Sequence, residues 1–256
     1  MQKLSVAIIT FNEEHNIQRC VESVLSVADE ILIVDSYSTD LTEQICTTYP
    51  KLRFIQHTFE GHIQQKNYAK DMCTHNLVLS LDADEAISEK LRTHIQHIKK
   101  HGTADGYTSN RRNHFCGQAI KHCGWYPDIS LRLWHKHKGK WGGSNPHDIF
   151  IMNQNTTVEH IPGDILHYTF NSIDEHCKQI NYFSRISAES KHARGKKSNL
   201  LKILLYPWWR FVRTFILQGG FLDGLTGYII CKNSAHAVFL KYIKLYKLSQ
   251  NGAEKK

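Results

Sequence analysis

Apolar and polar positions along the first hundred residues switch repeatedly between two periods. LSVAIIT at 4–10 is a β-branched run that predicts a buried strand. Behind it Ile17, Val21, Val24 and Leu25 recur at helical spacing, with Glu13 and Glu14 near the helix start, where negative charge is favoured. EILIVD predicts a second strand ending in Asp35. SYSTDLTEQICTTY then predicts a helix capped by Thr39 or Asp40, with Glu43 in its first turn. LRFIQH and NLVLSLDADE predict two more strands, each followed by a helix, GHIQQKNYAKDMCT and then SEKLRTHIQHIKKH with Ser88 as cap.

This β-α-β-α-β-α-β-α order over residues 1–101 implies an α/β fold with a mostly parallel sheet and helices on both faces. Ligands in such folds sit beyond the carboxyl ends of the strands. Polar clusters fall at three of those ends: Thr10-Phe11-Asn12-Glu13-Glu14, Asp35-Ser36-Tyr37-Ser38-Thr39-Asp40 and Asp82-Ala83-Asp84-Glu85. They are expected to converge. Asp82 and Asp84 alternate at strand spacing, so both can point the same way. Two carboxylates held together there call for a cation, and Mg²⁺ or Mn²⁺ takes few protein carboxylates and completes its shell with phosphate and water. The bland alternative is a solvated turn capping the next helix through Ser88.

From Gly106 the pattern becomes aromatic and glycine-rich, which predicts hairpins in a mixed sheet facing an acceptor, with His135-Lys136-His137-Lys138 at a hairpin tip. Residues 172–195 return to helical spacing. His114, Cys116, His122 and Cys123 match no standard zinc spacing and are expected to be packed or exposed side chains. His94, His97 and His101 share a solvated helix face. Trp125 and Tyr126 suit either a sugar platform or core packing.

The 256 residues are 41% hydrophobic and 22% charged, which excludes a disordered, collagenous or disulfide-scaffold chain. Seven cysteines without a CxxC pair fit reduced thiols. The short N-terminal apolar run is too brief for a signal peptide, so a cytoplasmic location is expected. The net charge of +8 is concentrated at 191–256, where 13 Lys+Arg face only Asp223 and Glu254. That distribution argues against a nucleic-acid partner, because the basic charge sits in an apolar tail. Within the tail, Pro207 suits the first turn of a new helix, so SNLLKILLYPWWRFVRTFILQGGF divides there. Lys202, Arg210 and Arg213 would then fall on one stripe beside Leu, Ile, Phe and Trp, as on a helix lying in an anionic membrane surface. Segment 228–248 is helical and adds Lys241, Lys244 and Lys247. A core helix or a subunit interface is the competing explanation.

These motifs together resemble the inverting GT-A glycosyltransferases of family 2. AIITFNEE resembles that family's first strand and turn, IVDSYSTDLT its second, and LSLDADE its metal-binding D-x-D. Within the family the likeness is to the bacterial lipopolysaccharide inner-core glucosyltransferase group, carried by QKNYAKD, Arg111-Arg112-Asn113, CGWYPDISLRLW, Pro146-His147-Asp148 and WWRFVRTFILQGGFLDGLTGY. The resemblance implies a Rossmann-like GT-A sheet in three parts: a nucleotide-sugar-binding half at 1–101, an acceptor-binding and catalytic half at 102–190, and a membrane-associating helical tail at 191–256. It also implies that Thr10, Asn12 and Glu14 line the nucleotide pocket, that Asp35 bonds the base, and that Ser38 and Asp40 shape the turn. Lys66 would approach the donor. Asp82 would contact the ribose or a metal-bound water, and Asp84 would ligate the metal.

The group usually has V-H-E where this chain has Pro146-His147-Asp148, so Asp148 becomes the candidate base with a side chain one methylene shorter. Tyr37 stands where the group commonly has Gly. Some related enzymes supply a further metal ligand after the base segment, and His167 in DILHYTF occupies that position; a structural histidine is the alternative. The implied reaction moves glucose from UDP-glucose to a lipid-linked acceptor, the inner-core heptose, at the inner face of the cytoplasmic membrane. Transfer to another lipid-linked or capsular glycan, and a non-catalytic membrane-binding role, are the alternatives. A sugar nucleotidyltransferase would need a Gly-rich basic loop after the first strand, and TFNEEHN lacks one.

Overall fold

The computed structural model describes residues 1–145 and 147–251, so Pro146 of the base motif lies outside the described residues. Contacts divide the chain into two compact units. Unit 1 comprises residues 1–112 and 128–168; unit 2 comprises 113–127 and the chain from 169 onward. These boundaries follow packing, whereas the expected divisions at 101 and 190 concern roles.

Unit 1 begins with β1 (Leu4–Thr10), α1 (Ile17–Val24), β2 (Glu30–Asp35), α2 (Thr42–Cys46), β3 (Leu52–Gln56), α3 (His62–Met72) and β4 (Leu77–Asp82). A short β5 (Glu85–Ile87) leads into α4 (Glu89–His101). Then come β6 (Gly106–Phe115), β7 (Gln118–Ala119, within the 113–127 segment of unit 2), β8 (Asp128–His135), β9 (Gly139–Ser144), β10 (His147–Met152) and β11 (Val158–Phe170). The main sheet has the order β3-β2-β1-β4-β8-β6-β11-β5. Its first four strands are parallel, as expected. β8 runs antiparallel to β4, β6 to β8, and β5 to β11, which makes the sheet mixed. β9 and β10 form a separate hairpin.

The alternation within each strand divides the core in two. Leu4, Val6 and Ile8 of β1, Ile31 and Ile33 of β2, and Leu77, Leu79 and Leu81 of β4 pack with α1 and α4. Ala7, Leu32, Val34 and Val78 point to the other face, against Ala69 of α3 and against Trp134, Trp141 and Phe150. Their period of two is what a sheet covered on both faces requires.

Two local expectations change in the structure. α2 starts at Thr42 with Leu41 at its cap position, later than a cap at Thr39 or Asp40 implies; Asp40, just before it, accepts the Thr42 N–H at 3.0 Å. At the other predicted cap, Ser88 Oγ accepts the Leu91 N–H at 3.3 Å and also that of Asp164 at 2.9 Å, clamping β11 to the start of α4. Gly163 makes that close approach possible. Its φ is +115°, and a Cβ there would meet Leu91 N at 2.4 Å.

Unit 2 contains α5 (Ile173–Ala193), α6 (Leu200–Val212) and α7 (Gly224–Asn251), with a π-helical turn at Arg213–Leu217 between the last two. The division at Pro207 does not occur: Pro207 lies inside α6. A proline there removes one backbone donor, but contacts on both sides of it hold the helix together. Ile203 is buried, Tyr206 meets Tyr242 of α7 edge-on at 5.1 Å, and Phe211 meets Tyr228 at 5.9 Å. The turn after α6 is fastened by Asp223, which accepts from His122 N at 2.8 Å and pairs with His122 Nδ1 at 3.0 Å. Trp125 packs around Phe115, Phe170 and His176, the core alternative for this residue.

Replacing Gly163 with Ala should destabilise unit 1 by about 2 kcal/mol or more, through overpacking and a left-handed backbone. A thermal melt of Gly163→Ala checks this, and an unchanged midpoint would contradict the clamp. Buried His176 accepts from Asn233 Nδ2 at 3.1 Å, and burial lowers its pKa to about 4. The unfolded chain therefore takes up a proton below pH ~6.5 that the folded chain refuses. Stability should fall as pH drops from 7 towards 4, by at most about 1.4 kcal/mol per pH unit from this group. Unfolding at pH 7.5 and 5 should show a smaller pH difference in His176→Gln than in the unmodified chain.

Candidate active site

The sequence-predicted residues lie in unit 1, at the ends of β1, β2 and β4 and on α3, β10 and β11. The first two polar clusters are knitted together by hydrogen bonds. The Asn12 N–H donates to Ser38 Oγ at 2.8 Å, and the Thr39 N–H donates to Asn12 Oδ1 at 2.8 Å. The Glu14 N–H donates to Asp40 Oδ2 and the Leu41 N–H to Glu14 Oε2, both at 3.0 Å. Fully buried Asp35 accepts the Ser38 N–H at 2.8 Å and the Ser38 hydroxyl on its other oxygen. Thr10 pairs in register with Asp35, and its hydroxyl oxygen is buried without a hydrogen-bond partner among the described residues. Asn12 and Tyr37 both adopt positive φ, 54° and 61°. Tyr37, where the resembled group has Gly, is exposed.

The third cluster does not behave as two carboxylates side by side. β4 ends at Asp82, and Ala83 and Asp84 form a turn before β5. The turn sends the two carboxylates to different partners, so the strand-spacing argument fails although both residues stay at the strand end. Asp82 pairs with Lys66 at 2.9 Å and with Arg132 at 3.2 Å. Desolvation pushes its pKa up, but the charges of Lys66 and Arg132 outweigh that and hold it well below the usual carboxylate range. Lys66 also reaches Asp148 Oδ2 at 2.8 Å, so one buried ammonium joins the β4 end to the candidate base on β10. Asp84 pairs instead with His167 Nε2 at 3.2 Å. Burial lowers the His167 pKa, but the hydrogen bond and charge of Asp84 more than reverse this, so it lies above the ordinary imidazole value.

Local sequence explains these positions. Asn67, beside Lys66 on α3, bonds both backbone groups of Trp141, donating to its oxygen at 2.9 Å and accepting its N–H at 3.0 Å. That grip fixes the β9–β10 hairpin, whose register sets Asp148 opposite Gly143. Antiparallel pairing of β11 with β5 sets His167 opposite Glu85, and the Tyr168 N–H donates to Asp84 O at 2.9 Å. Glu13 completes the convergence. Burial raises its pKa, and Asp84, Asp40 and Asp82 raise it further by charge.

Sequence reasoning missed several participants. Arg132, from the LRLW motif, pairs with Asp82 and with Glu85 at 3.0 Å. Arg111 holds Asp128 at 2.9 Å and approaches Glu85 at 3.5 Å. Trp141 presents its ring to Lys66, 4.7 Å from the ammonium. Buried Gln65 ties α3 to the second cluster through Ser36 Oγ at 3.1 Å and His57 at 2.8 Å. Arg132 sits among alternating aromatic and apolar residues, where an arginine signals a buried partner; that signal was available.

Among the described residues no group of three or more His, Cys, Asp or Glu could hold a metal. The Asp84 carboxylate suits a hard cation, and the His167 imidazole, once its nitrogen gives up its proton, is a borderline donor beside it. An oxygen and an imidazole nitrogen 3.2 Å apart match adjacent positions of an octahedron with bonds of about 2.1 Å. Two protein donors leave the remaining positions for phosphate and water, as Mg²⁺ and Mn²⁺ prefer.

Glycosyl transferase family 2 matches residues 5–169, well over half of the chain. The chain belongs to that family and is a glycosyltransferase with a Rossmann-like GT-A fold. A glycosyltransferase of Rickettsia typhi is 28% identical over 267 residues, covering 97% of this chain and 88% of its own. The lipopolysaccharide core biosynthesis glycosyltransferase LpsC of Rhizobium meliloti is 28% identical over 251 residues, covering 95% and 92%. Residues 1–349 of S. aureus TarS, solved in complex with UDP, align over 99% of this chain and 92% of that one at 16% identity and a TM-score of 0.46.

Removing the ammonium in Lys66→Met should leave Asp82 and Asp148 facing each other without their shared cation. The cost is on the order of 3 kcal/mol, typical of breaking a buried pair. A second change, Asp148→Asn, should recover part of it. A double-mutant cycle on chemical denaturation measures this, and strict additivity would contradict the bridge.

Proposed function

We propose that this chain is a metal-dependent inverting glycosyltransferase acting at the cytoplasmic membrane face. Its donor is a nucleotide sugar, UDP-glucose, and its acceptor a lipid-linked glycan, the heptose of the lipopolysaccharide inner core. The observation that carries the reading is the meeting, at the ends of β1, β2 and β4, of the Lys66–Asp82–Asp148 bridge with the Asp84–His167 pair. The family supplies the reaction class. The similarity to LpsC, a lipopolysaccharide core biosynthesis glycosyltransferase, supports the acceptor class, and the sugar rests on the resemblance.

In this reading Thr10, Asn12, Glu14, Asp35, Ser38 and Asp40 form the nucleotide cradle, and Asp82 and Lys66 meet the donor. Asp84 and His167 would hold the Mg²⁺ or Mn²⁺, which when bound would neutralise the departing diphosphate. Asp148 is held at Oδ2 by Lys66, and no bond engages its other oxygen among the described residues. That oxygen takes the proton of the acceptor hydroxyl as the hydroxyl oxygen bonds the anomeric carbon. The anomeric C–O bond breaks with its electron pair leaving on the diphosphate, so configuration inverts. Residues 1–101 serve the donor, 102–190 the acceptor, and 191–256 the membrane.

The membrane part rests on α6 and the turn after it. Leu201, Leu204, Leu205, Trp208 and Trp209 are exposed on the side of α6 away from Ile203. No single helix among the described residues is long and apolar enough to cross a membrane, although the bent pair Leu200–Leu217 and Gly220–Gln250 passes together by length and composition. α6 alone spans about 20 Å, short of a bilayer core of about 30 Å, which favours lying in the interface.

Nucleotide diphosphate release from a panel of sugar nucleotides, with Mn²⁺, Mg²⁺ or chelator, tests the reaction. One donor should be hydrolysed slowly and only with metal. Asp84→Ala should lose that activity, whereas Asp148→Asn should bind donor within a few-fold but transfer about 100-fold or more slowly to lipid acceptor. No metal-dependent turnover or binding with any donor would overturn the reading.

A further inference from the structure

A cleft of about 330 Å³ opens between α5, α6 and α7 of unit 2, away from the strand-end site in sequence and in role. Its walls are of two kinds. Ile180, Phe183 and Val238 make an apolar side, while Arg210 of α6 and Lys241 of α7 supply positive charge and Ser187 and Ser234 supply hydroxyl donors. α6 and α7 contain no acidic residue at all. Among the described residues neither Arg210 nor Lys241 forms an ion pair; Lys241 lies only over the Tyr242 ring, at 4.9 Å. Burial lowers the Lys241 pKa, and the nearby positive charges of Lys191 and Arg210 lower it further. Two cations from two helices, exposed Arg210 and half-buried Lys241, thus line one cleft, and Lys191 of α5 adds its charge at Lys241. Such an arrangement costs free energy until an anion enters.

We propose that this cleft is a binding site for the phosphate of an anionic membrane lipid headgroup. A free phosphate would have no use for the apolar wall, whereas a lipid uses both sides. Arg210 lies two helical turns after Ile203, on the same side of α6, so the acyl chains would be received by the cleft's own apolar side, Ile180, Phe183 and Val238. The fork of Arg210 suits a phosphate diester, and the serine hydroxyls suit its remaining oxygens. The inference deepens the membrane part of the proposed function and rests on it. In physical terms, the exposed apolar face would supply affinity for any bilayer, and the cleft would supply choice of headgroup.

Calorimetric titration of the full chain with monomeric dihexanoyl phosphatidylglycerol tests this without a charged surface. One saturable site per chain is expected. Its affinity should fall about tenfold or more in Arg210→Gln/Lys241→Gln, and stay within about twofold in the control pair Lys196→Gln/Lys197→Gln, whose charges lie outside the cleft. Thermal midpoints of both variants should match the unmodified chain. Equal losses in the two variants, or inorganic phosphate binding as tightly as the lipid at the same residues, would overturn the lipid assignment. Sedimentation with phosphatidylcholine and phosphatidylcholine–phosphatidylglycerol vesicles separates the two readings. Vesicle binding without a saturable short-chain site would overturn the cleft and leave the membrane reading standing. No vesicle binding of either kind would overturn both, while nucleotide diphosphate release would still report on the transferase.

Discussion

Lys66 is buried between two carboxylates that lie 66 positions apart in the chain, Asp82 and Asp148. A buried ammonium is tolerated only when its partners compensate for lost hydration. Both partners must therefore arrive at the same place, and most of unit 1 serves that condition. β4 brings Asp82 as the end strand of the parallel set. The β9–β10 hairpin brings Asp148, gripped by Asn67 one residue beyond Lys66. Arg132 adds a second cation and passes the tie on to Glu85. The donor side and the candidate base are thus one electrostatic assembly, carried on α3.

Asp84 stands apart from this assembly because the turn after β4 rotates it away. That separation bears on the proposed metal site. A cation held by Asp84 and His167 need not compete with Lys66 and Arg132 for the same carboxylate. Asp82 is neutralised by two protein cations, whereas the ion-pair partner of Asp84 among the described residues is a titratable histidine. The two acids of DADE thus have separate partners, Asp82 pairing with Lys66 and Arg132 and Asp84 with His167.

Unit 2 follows a different physical logic. α6 buries little beyond Ile203 and Thr214 follows it into the interior, while its outer side keeps leucines and tryptophans in solvent. An apolar face of that extent signals a surface awaiting something apolar. Pro207 does not interrupt α6, since the ring contacts to α7 on both sides of it supply what the missing backbone bond does not.

The parallel strands, their order of appearance, the cap at Ser88, and the polar strand ends were legible in the sequence. Those features follow from local periodicity and from short-range hydrogen bonds. The family motifs also marked residues that the structure gathers at the ends of β1, β2 and β4. Tertiary structure alone decided which acid meets which cation. Arg132 and Trp141 reach the site through an antiparallel strand and a separate hairpin, and His167 reaches Asp84 through the β11–β5 register. The cationic cleft likewise joins Arg210 and Lys241 from separate helices. Charge pairing between residues distant in the chain depends on how strands and helices register. Local pattern carries no information about register across a sheet, so the sequence determined the elements and the chemistry at their ends, and the fold determined the partners.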